Sequence, residues 1–178
     1  MVSRATLAVV LSFGLTTAVL ADPIPAGYRG KNIEVVGYVD AQGASPFKMS
    51  LLQDGDRWYM YTSNFFHRGW SIFDVTDPAD PKMVKFIEGP ENTSTWQIDI
   101  ADNLMITSLN ALSAGWGGDP ESPHAPEAVL IWSLDDPLNP KQIGSFTSGG
   151  GTHRNGYFGG RYMHLAANHP DYRGEMYM

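Results

Sequence analysis

Cysteine is absent from the 178-residue sequence, and this absence removes several kinds of site at once. It excludes a disulfide framework, a thiolate metal site, a cysteine nucleophile and a lipid-modified N-terminal cysteine. The sequence also contains no Gly-x-Ser-x-Gly motif, and its longest glycine run, at 149–151, lacks the Gly-Lys-Ser/Thr continuation of a phosphate-binding loop. No catalytic motif is therefore visible, and stability has to come from ordinary core burial.

Basic residues are scarce: 12 Lys and Arg stand against 19 Asp and Glu, which gives a formal net charge of −7. The basic residues are scattered, so the sequence argues against nucleic acid and against anionic membrane surfaces as partners. After residue 21 we find no apolar run long enough to span a bilayer and no helical periodicity of useful length. We therefore expect a chain of β-strands, with no nucleic-acid partner and no membrane span in its mature part.

The first 21 residues have the pattern of a secretory signal peptide. Arg4 supplies a positive charge, residues 5–20 are mostly apolar, and Ala21 precedes a cut ahead of Asp22. An N-terminal membrane anchor is the alternative, but the apolar run is short and interrupted by polar residues. The sequence thus predicts export to the periplasm or to the extracellular space and cell surface. A Pro- and Gly-rich extended arm is predicted over residues 22–32.

One stretch of the sequence occurs twice. Residues 71–81, Ser-Ile-Phe-Asp-Val-Thr-Asp-Pro-Ala-Asp-Pro, return as residues 130–140, Leu-Ile-Trp-Ser-Leu-Asp-Asp-Pro-Leu-Asn-Pro. Each copy is a short apolar strand that runs into Asp-Pro-x-x-Pro, a tight turn in which Asp hydrogen-bonds the following backbone N–H groups and Pro presets φ. A second strand follows each turn, and repetition at this scale predicts a stack of small antiparallel sheets.

The same repeat assigns the surrounding strands. Asparagine closes a strand at Asn64, Asn110 and Asn168, with intervals of 46 and 58 residues, and an insertion at Ala111–Glu127 accounts for the longer interval. Each repeat then contains four strands, a to d, in chain order. The predicted strands are a at 47–52, 96–101 and 153–158, b at 58–63, 104–109 and 162–167, c at 71–75 and 129–134, and d at 33–39, 83–87 and 142–146.

A unit of four strands and about 40 to 50 residues is typical of a β-propeller blade. We therefore predict an all-β chain in which residues 33–178 form a partial β-propeller of four-stranded antiparallel blades, with a β-sandwich as the alternative fold. Glu175–Met178 stands where the third strand c should begin, without the turn and strand d that should follow. Closed propellers use about four to eight blades, so we expect the domain to be incomplete at its C-terminus, with a self-associating partial propeller as the alternative.

The succession of strand c, Asp-Pro-x-x-Pro and strand d resembles the LVIVD-repeat proteins, a group of exported bacterial and archaeal β-propellers. The resemblance covers about residues 33–178 and depends on apolar c strands such as Ser71–Val75 and Val129–Leu134. It implies an exported propeller and no particular activity, because the family has no general assigned chemistry. The chain departs from the pattern in the insertion Ala111–Glu127 and at its C-terminal end.

Four of the five histidines are predicted to share one face. The b-to-c and d-to-a connections lie on the same side of an antiparallel blade, because both follow strands that run the same way. His67, His124 and His169 fall in b-to-c loops, and His153 follows a d-to-a turn. Imidazoles gathered in this way suit a transition metal, although histidine is also common in polar loops and no closely spaced ligand pair is present.

The same loops are rich in aromatic and arginine side chains, which are typical of interface anchors and of apolar ligand platforms. The alternative for Phe66 and Trp70 is packing between blades. The candidate ligand-binding residues are Phe66, Arg68, Trp70, Trp116 and Tyr172.

Two functions follow from these observations. The first is a binding scaffold whose loop-rich face takes a protein, a glycan or a small ligand, which the repeats and the absence of a catalytic motif favour. The second is a metal-dependent periplasmic enzyme that uses His67, His124, His153 and His169 as ligands. Geometry separates them, because metal ligands have to converge on one point. The catalytic residues of such an enzyme cannot be assigned from the sequence.

Overall fold

The computed structural model describes residues 22–147, 150–169 and 171–177, so the predicted signal peptide lies outside the described residues. The described part is all-β, as predicted, and besides strands it contains one short 3-10 turn at Ala114–Trp116. Within these ranges we find no helix with the length and apolar character needed to cross a membrane.

The strands form antiparallel meanders, one for each repeat. We call β1 to β4 the first sheet, β5 to β9 the second sheet and β10 to β12 the third sheet. The strands are β1 Pro46–Asp54, β2 Arg57–Asn64, β3 Gly69–Asp74, β4 Lys82–Glu88, β5 Thr93–Ser94, β6 Ile98–Ala101, β7 Leu104–Ala111, β8 Ala128–Ser133, β9 Lys141–Phe146, β10 Thr152–Gly156, β11 His164–His169 and β12 Tyr172–Tyr177.

Tight hairpins join the first two long strands of each of the first two sheets. Between β1 and β2, Asp54 pairs with Arg57, and Gly55 adopts a left-handed φ of 57°. Between β6 and β7, Asp102 and Asn103 both have left-handed φ, at 49° and 60°. Hairpins of two residues need such conformations because they match the twist of the strands, and Gly, Asn and Asp adopt them most readily.

The repeated Asp-Pro-x-x-Pro segments form the predicted turns between strands c and d. Asp77 Oδ1 accepts a hydrogen bond from the Ala79 N–H at 2.9 Å, and Asp136 Oδ1 accepts one from the Leu138 N–H at 3.0 Å. In both turns the backbone N–H three residues after the aspartate also donates to the aspartate carbonyl. The carboxylate therefore replaces water at a backbone donor that the turn would otherwise leave unpaired.

The inserted loop contains a third turn of this kind, which was not among the predicted turns. Asp119 begins the segment Asp-Pro-Glu-Ser-Pro. Its carboxylate accepts hydrogen bonds from the Glu121 N–H at 3.0 Å and from the Ser122 hydroxyl at 2.6 Å. The bonds from Ser122 and Glu121 hold the pKa of Asp119 below its ordinary value. The insertion is thus an ordered loop built on the same turn chemistry as the repeats.

The sheets pack in series, and the first sheet covers one face of the second. Strand β1 lies against β6, and Lys48 of β1 forms a 2.7 Å ion pair with Asp99 of β6. We call this contact the first interface. Its buried side chains are Tyr59, Tyr61, Trp70 and Ile72 from the first sheet and Ile98, Met105, Leu109, Ala128, Leu130, Trp132 and Leu134 from the second repeat.

The opposite face of the second sheet packs against the third sheet, which we call the second interface. Ile106 and Val129 of the second sheet meet Leu165 and Ala167 of β11, together with Tyr157. Matching ladder positions are used at both interfaces: Tyr61 pairs with Ile72 in the first sheet, and Ile106 pairs with Ile131 in the second. The repeat therefore extends from the strands to the way in which one sheet covers the next.

The strand pairing corrects the predicted repeat alignment by one residue. Tyr59 pairs with Asp74, and the matching ladder pair in the second sheet is Leu104 with Ser133. Counting along the strand, Asn64 matches Leu109 rather than Asn110. Because neighbouring strand residues point to opposite faces, the two asparagines are not structural equivalents.

Two of the predicted strand assignments differ from the structure. Residues 33–39 are extended but pair with no strand among the described residues, so the predicted strand d is wrong there. The segment lies on the first Asp-Pro turn, since a Cβ at Gly37 would come within 2.1 Å of the Pro78 carbonyl oxygen. The third strand c begins at Tyr172 rather than Glu175, and Tyr172 pairs with His169 at the end of β11.

Candidate ligand-binding face

One buried hydroxyl fixes the loop between β2 and β3. Thr95 Oγ1 accepts hydrogen bonds from the Asn64 N–H at 3.3 Å and the Gly69 N–H at 3.2 Å. It also lies 2.9 Å from the Asn64 carbonyl and 2.7 Å from the Gly69 carbonyl, to either of which it can donate. Thr95 is fully buried, so these bonds satisfy groups that water cannot reach. Both ends of the loop 65–68 are therefore held in place by Thr95.

Gly69 is required where this loop re-enters the sheet. Its φ of 135° is rarely adopted by other residues, and a Cβ there would come within 2.2 Å of the Ile87 carbonyl oxygen. The Gly89 N–H, in the connection from β4 to β5, donates to the Arg68 carbonyl at 3.3 Å. The b-to-c loop and the d-to-a connection therefore meet on one side of the sheets, as strand direction predicts.

The inserted loop is fastened to the same side by Asn92. The Asn92 side-chain amide donates to the Asp119 carbonyl at 2.7 Å and to the Ser122 carbonyl at 3.0 Å, and it accepts from the Asp119 N–H at 2.9 Å. At the base of the insertion, Glu127 Oε1 accepts from the Ala111 N–H at 3.0 Å. We call the surface formed by residues 65–68, 89–92 and 112–127 the loop face.

Aromatic side chains from three loops and strands meet on the loop face. Phe65 is the centre of the cluster, with ring centroids 4.5 Å from Phe66, 4.8 Å from Trp96 and 4.8 Å from Trp116. Phe66 and Trp116 are each about half exposed, at 53% and 46%. Phe66 and Trp116 therefore lie on one face, as predicted, and their rings form an apolar surface that is exposed to solvent.

A cavity of about 750 Å³ opens beside this cluster, between the first and second sheets. Trp70 and Trp132 form its floor and meet edge to face, with ring centroids 5.1 Å apart. Apolar residues dominate the walls, and polar side chains are gathered near β9 and the rim. The lining residues are Arg68, Trp70, Glu88, Gly89, Pro90, Glu91, Leu109, Ala125, Pro126, Ala128, Leu130, Trp132, Gln142, Ser145 and Thr147.

Arg68 stands at the rim, where the large cavity meets a smaller one of about 260 Å³. Its Nη2 donates to Glu88 Oε1 at 2.8 Å and lies 3.6 Å from Glu91 Oε1. Both carboxylates are largely exposed, so the pairs are worth little energetically and mainly orient the guanidinium. Two carboxylates and one guanidinium leave this rim with a net negative charge.

Trp70 belongs to the core rather than to the surface of the loop face. Its side chain is 1% exposed and packs on Trp132, in agreement with the alternative of packing between repeats. Strand β3 is buried on both faces: Trp70 and Ile72 lie under the second sheet, and Ser71 and Phe73 are buried on the opposite side, which sequence alone does not show. Trp70 contributes to the candidate site as a lining residue at the floor of the cavity.

The predicted histidine ligands are distributed around the loop face. His67 is exposed and lines the smaller cavity, whereas exposed His124 holds its Nδ1 2.8 Å from the Ala125 carbonyl oxygen. In the part of the chain that the structure describes, no three His, Asp or Glu side chains are arranged as metal ligands. The side chains of His153 and His169 are outside that part, so the metal site stays a prediction.

The backbone of the third sheet places the remaining candidates at strand ends rather than in loops. His153 is the second residue of β10, and His169 ends β11, where it pairs with Tyr172 at the start of β12. The side chains of these residues lie outside the described part of the structure. Their assignment to the loop side rests on strand direction alone.

Several residues that build the site were not among the predicted ones. Thr95 and Asn92 position the loops, and Trp96 and Trp132 complete the aromatic cluster and the cavity floor. For Trp132 a sequence signal existed, since it occupies the Phe73 position of the repeated segment. The links from Asn92 and Thr95 span 26 to 31 residues, and no local pattern in the sequence indicates them.

Comparisons of the chain with models of protein families, with curated proteins and with solved structures found no match. The geometry of the loop face therefore carries the functional argument.

Proposed function

We propose that this protein is a binding scaffold that takes up a small, largely apolar ligand in the cavity between its first two sheets. The cavity itself carries the proposal, because its volume of about 750 Å³ suits a small molecule. Small-molecule sites commonly occupy roughly 300 to 1,000 Å³ and combine apolar walls with a few polar groups. The Trp70 and Trp132 floor, with polar Gln142, Ser145 and Thr147 at one side, has this composition.

The charge at the rim of the cavity favours a neutral ligand over an anionic one. Arg68 is already paired with Glu88 and has Glu91 close by, so it does not offer a free positive charge. An anionic ligand would meet the net negative charge of this group, whereas a neutral ligand would not. We infer a neutral ligand with a flat apolar body and few hydrogen-bonding groups. The exposed rings of Phe66 and Trp116 extend the apolar surface outside the cavity mouth.

The proposal extends to the setting of this site: an exported β-propeller array of the LVIVD-repeat kind. The twice-repeated Asp-Pro turn and the use of matching positions at both interfaces support the array. The apolar run before Ala21 supports export. Expression of the whole chain in a bacterial host tests export, and we expect the protein recovered from the periplasm to begin at Asp22. Retention of residues 1–21 would contradict it.

Binding can be tested with prodan, a neutral naphthyl ketone whose emission reports an apolar site. We expect saturable binding of one prodan per chain, with energy transfer from tryptophan. Ala125→Phe places a ring into the cavity lining and should weaken binding at least about 10-fold, because it removes volume that the ligand needs.

Ala114→Phe is the matched control, since Ala114 lies in the same inserted loop, is exposed and does not line the cavity. It should bind prodan within about two-fold of the unmodified protein. Equal affinity of Ala125→Phe and the unmodified protein would place prodan elsewhere and overturn the cavity as the binding site. The anionic naphthalene sulfonate ANS should bind more weakly than prodan and should gain affinity in Glu88→Gln.

A further inference from the structure

The two indoles at the floor of the cavity differ in their hydrogen bonding. Trp132 Nε1 donates to Thr107 Oγ1 at 3.0 Å, so this N–H is satisfied within the second sheet. Trp70 Nε1 is also buried, but it has no hydrogen-bond partner among the described residues. The Trp70 side chain is 1% exposed, so bulk water does not reach this N–H either. One of the two floor indoles therefore has a donor that the protein leaves unused.

Arg68 has a second unused donor at the rim of the cavity. Its Nη2 donates to Glu88 Oε1 at 2.8 Å, whereas its Nε is buried and has no partner in the described part of the chain. Both Arg68 Nε and Trp70 Nε1 are N–H groups that only donate. The structure describes every residue of the cavity lining, and no buried side-chain oxygen of that lining lacks a partner. The unmet hydrogen bonds of the lining are therefore all of the donor kind.

A buried N–H without an acceptor is unfavourable. Leaving such a donor unpaired costs free energy, and a buried tryptophan N–H usually has a partner. An acceptor atom on a bound ligand would remove this cost. A carboxylate is unsuitable, because Glu88 and Glu91 already make the rim negative. A hydroxyl group is less suitable than a carbonyl, because it adds a donor for which the buried lining has no unpaired acceptor.

We propose that the ligand of this cavity carries a carbonyl oxygen, which accepts a hydrogen bond from Trp70 Nε1. The inference rests on the proposed function, since it concerns the same cavity, and it adds the chemical class of the ligand: a neutral, flat, apolar carbonyl compound such as an aromatic ketone. A site that donates to a ligand oxygen discriminates against an analogue without it, because the donor is then left unpaired. Trp70 is thus a specificity-determining residue as well as a core residue.

Two ligands of nearly equal shape test the proposal in the unmodified protein. Prodan is a ketone, and the comparison compound has a methylene group in place of the carbonyl. Without a donor in the cavity the methylene compound should bind more tightly, because the ketone has to give up its hydrogen bonds to water. With the Trp70 donor we expect prodan to bind at least about 5-fold more tightly, as measured by titration calorimetry. Equal affinities, or tighter binding of the methylene compound, would overturn the proposal.

This comparison also separates the carbonyl from the cavity itself. Ala125→Phe should weaken both compounds, because both occupy the same volume. If Ala125→Phe weakens both and the methylene compound binds at least as tightly as prodan, the cavity remains the binding site and only the carbonyl inference fails. If neither compound binds to the unmodified protein, the proposed function fails, and the carbonyl inference fails with it.

Two matched variants identify the donor. Trp70→Phe keeps an aromatic ring at the floor and removes the unused N–H, so the preference for prodan should disappear. Trp132→Phe removes an N–H that Thr107 already occupies, so it should affect both compounds alike and leave the preference in place. The ratio of two affinities is compared within each protein, so a general loosening of the floor cancels. A preference for prodan that survives in Trp70→Phe would overturn the assignment of Trp70.

Infrared spectroscopy of bound prodan with an isotope-labelled carbonyl gives a readout that does not depend on affinity. The stretching frequency of a carbonyl falls when its oxygen accepts a hydrogen bond. We expect a lower frequency in the unmodified protein and in Trp132→Phe than in Trp70→Phe. If Trp70→Phe does not fold, free prodan in an aprotic apolar solvent is the reference for the unmodified protein. The same frequency for bound prodan and for this reference would overturn the proposal.

Discussion

The two interfaces between sheets are built from side chains of different size at matching ladder positions. The first sheet contributes Tyr61 and Trp70 to the first interface, and the second sheet contributes Ile106 and Val129 to the second interface. The backbone pattern is the same in both, so the strands are placed by the repeat.

This difference locates the cavity. At the first interface the rings of Trp70 and Trp132 cross at 65°, and the space beside them opens to the loop face. At the second interface Val129 and Ile106 are almost fully buried among the aliphatic side chains of β11. The repeat architecture thus leaves room for a ligand at the first interface while both interfaces keep the same pattern of strands.

Removing the indole of Trp70 should have the largest effect on stability. Trp70→Ala deletes a fully buried ring from the first interface and should lower the free energy of unfolding by about 3–5 kcal/mol. Val129→Ala is the matched change at the second interface and should cost about 2 kcal/mol. Urea unfolding followed by circular dichroism measures both. Equal losses of unfolding free energy in the two variants would contradict a larger contribution of the aromatic ring at the first interface.

A smaller effect is expected at Tyr61, whose hydroxyl donates to the Pro137 carbonyl at 2.7 Å. Tyr61→Phe should cost about 1 kcal/mol at neutral pH, because it leaves that carbonyl without its donor. Ile106, the counterpart at the second interface, has no hydroxyl to lose. Ile106→Val is therefore a control for packing alone, with an expected cost of about 0.5–1.5 kcal/mol at any pH.

The pH dependence distinguishes the two changes. Burial raises the pKa of Tyr61 above its ordinary value of 10.0, and nearby Tyr59 and the carboxylates of Asp54 and Asp136 add to this. The folded protein then holds the proton after the unfolded chain has released it, so stability falls as pH rises beyond about 10. Tyr61→Phe should lose less stability over that range than the unmodified protein. Parallel curves would contradict the raised pKa.

Much of the fold could be predicted because its determinants are local. The Asp-Pro-x-x-Pro segments contain the aspartate and prolines that form the turns, and Asp54-Gly55 marks a hairpin within two residues. Residues 33–39 have the apolar composition of a strand, yet a strand also needs a partner, which the local sequence does not specify. The prediction was wrong where structure depends on a neighbour that is distant in the chain.

In the candidate site, too, features with local determinants could be predicted and features that depend on distant neighbours could not. Strand direction alone brought Phe66 and Trp116 to one face, where the structure has them 6.5 Å apart. Burial of Trp70 depends on which face of β3 the second sheet covers, and the cavity depends on the volume left between two sheets. Neither quantity is encoded in a motif, so the sequence predicted the loop face and missed the cavity beneath it.

The polar link at the first interface should produce a weaker effect, visible mainly as a pH trend. Burial raises the pKa of Asp99 above its ordinary value, and the hydrogen bond and charge of Lys48 offset this only in part. The folded protein therefore binds this proton more tightly than the unfolded chain does. The contribution of Asp99 to stability should fall as pH rises from about 4 through its raised pKa.

Comparison with Asp99→Asn isolates this contribution, since asparagine does not titrate. The stability of the unmodified protein minus that of Asp99→Asn should decrease as pH rises from about 4 to about 7. Urea unfolding at several pH values measures the difference. An increase over the same range would mean that the ion pair with Lys48 outweighs burial, and it would reverse the predicted sign.

The smallest effect, with the opposite sign, is expected at Asp136 in the turn that receives the Tyr61 hydroxyl. The hydrogen bond from the Asn139 amide, 2.7 Å away, holds the pKa of Asp136 below its ordinary value, and backbone donors add to it. This contribution is present above the unfolded pKa of about 4 and is lost as pH falls through the lowered folded value. The stability advantage over Asp136→Asn should therefore grow between about pH 2 and pH 5. Because the carboxylate of Asp136 is exposed, added salt should weaken its pH trend more than it weakens the pH trend of Asp99. Equal salt sensitivity of the two trends would contradict a role for burial in the difference between these carboxylates.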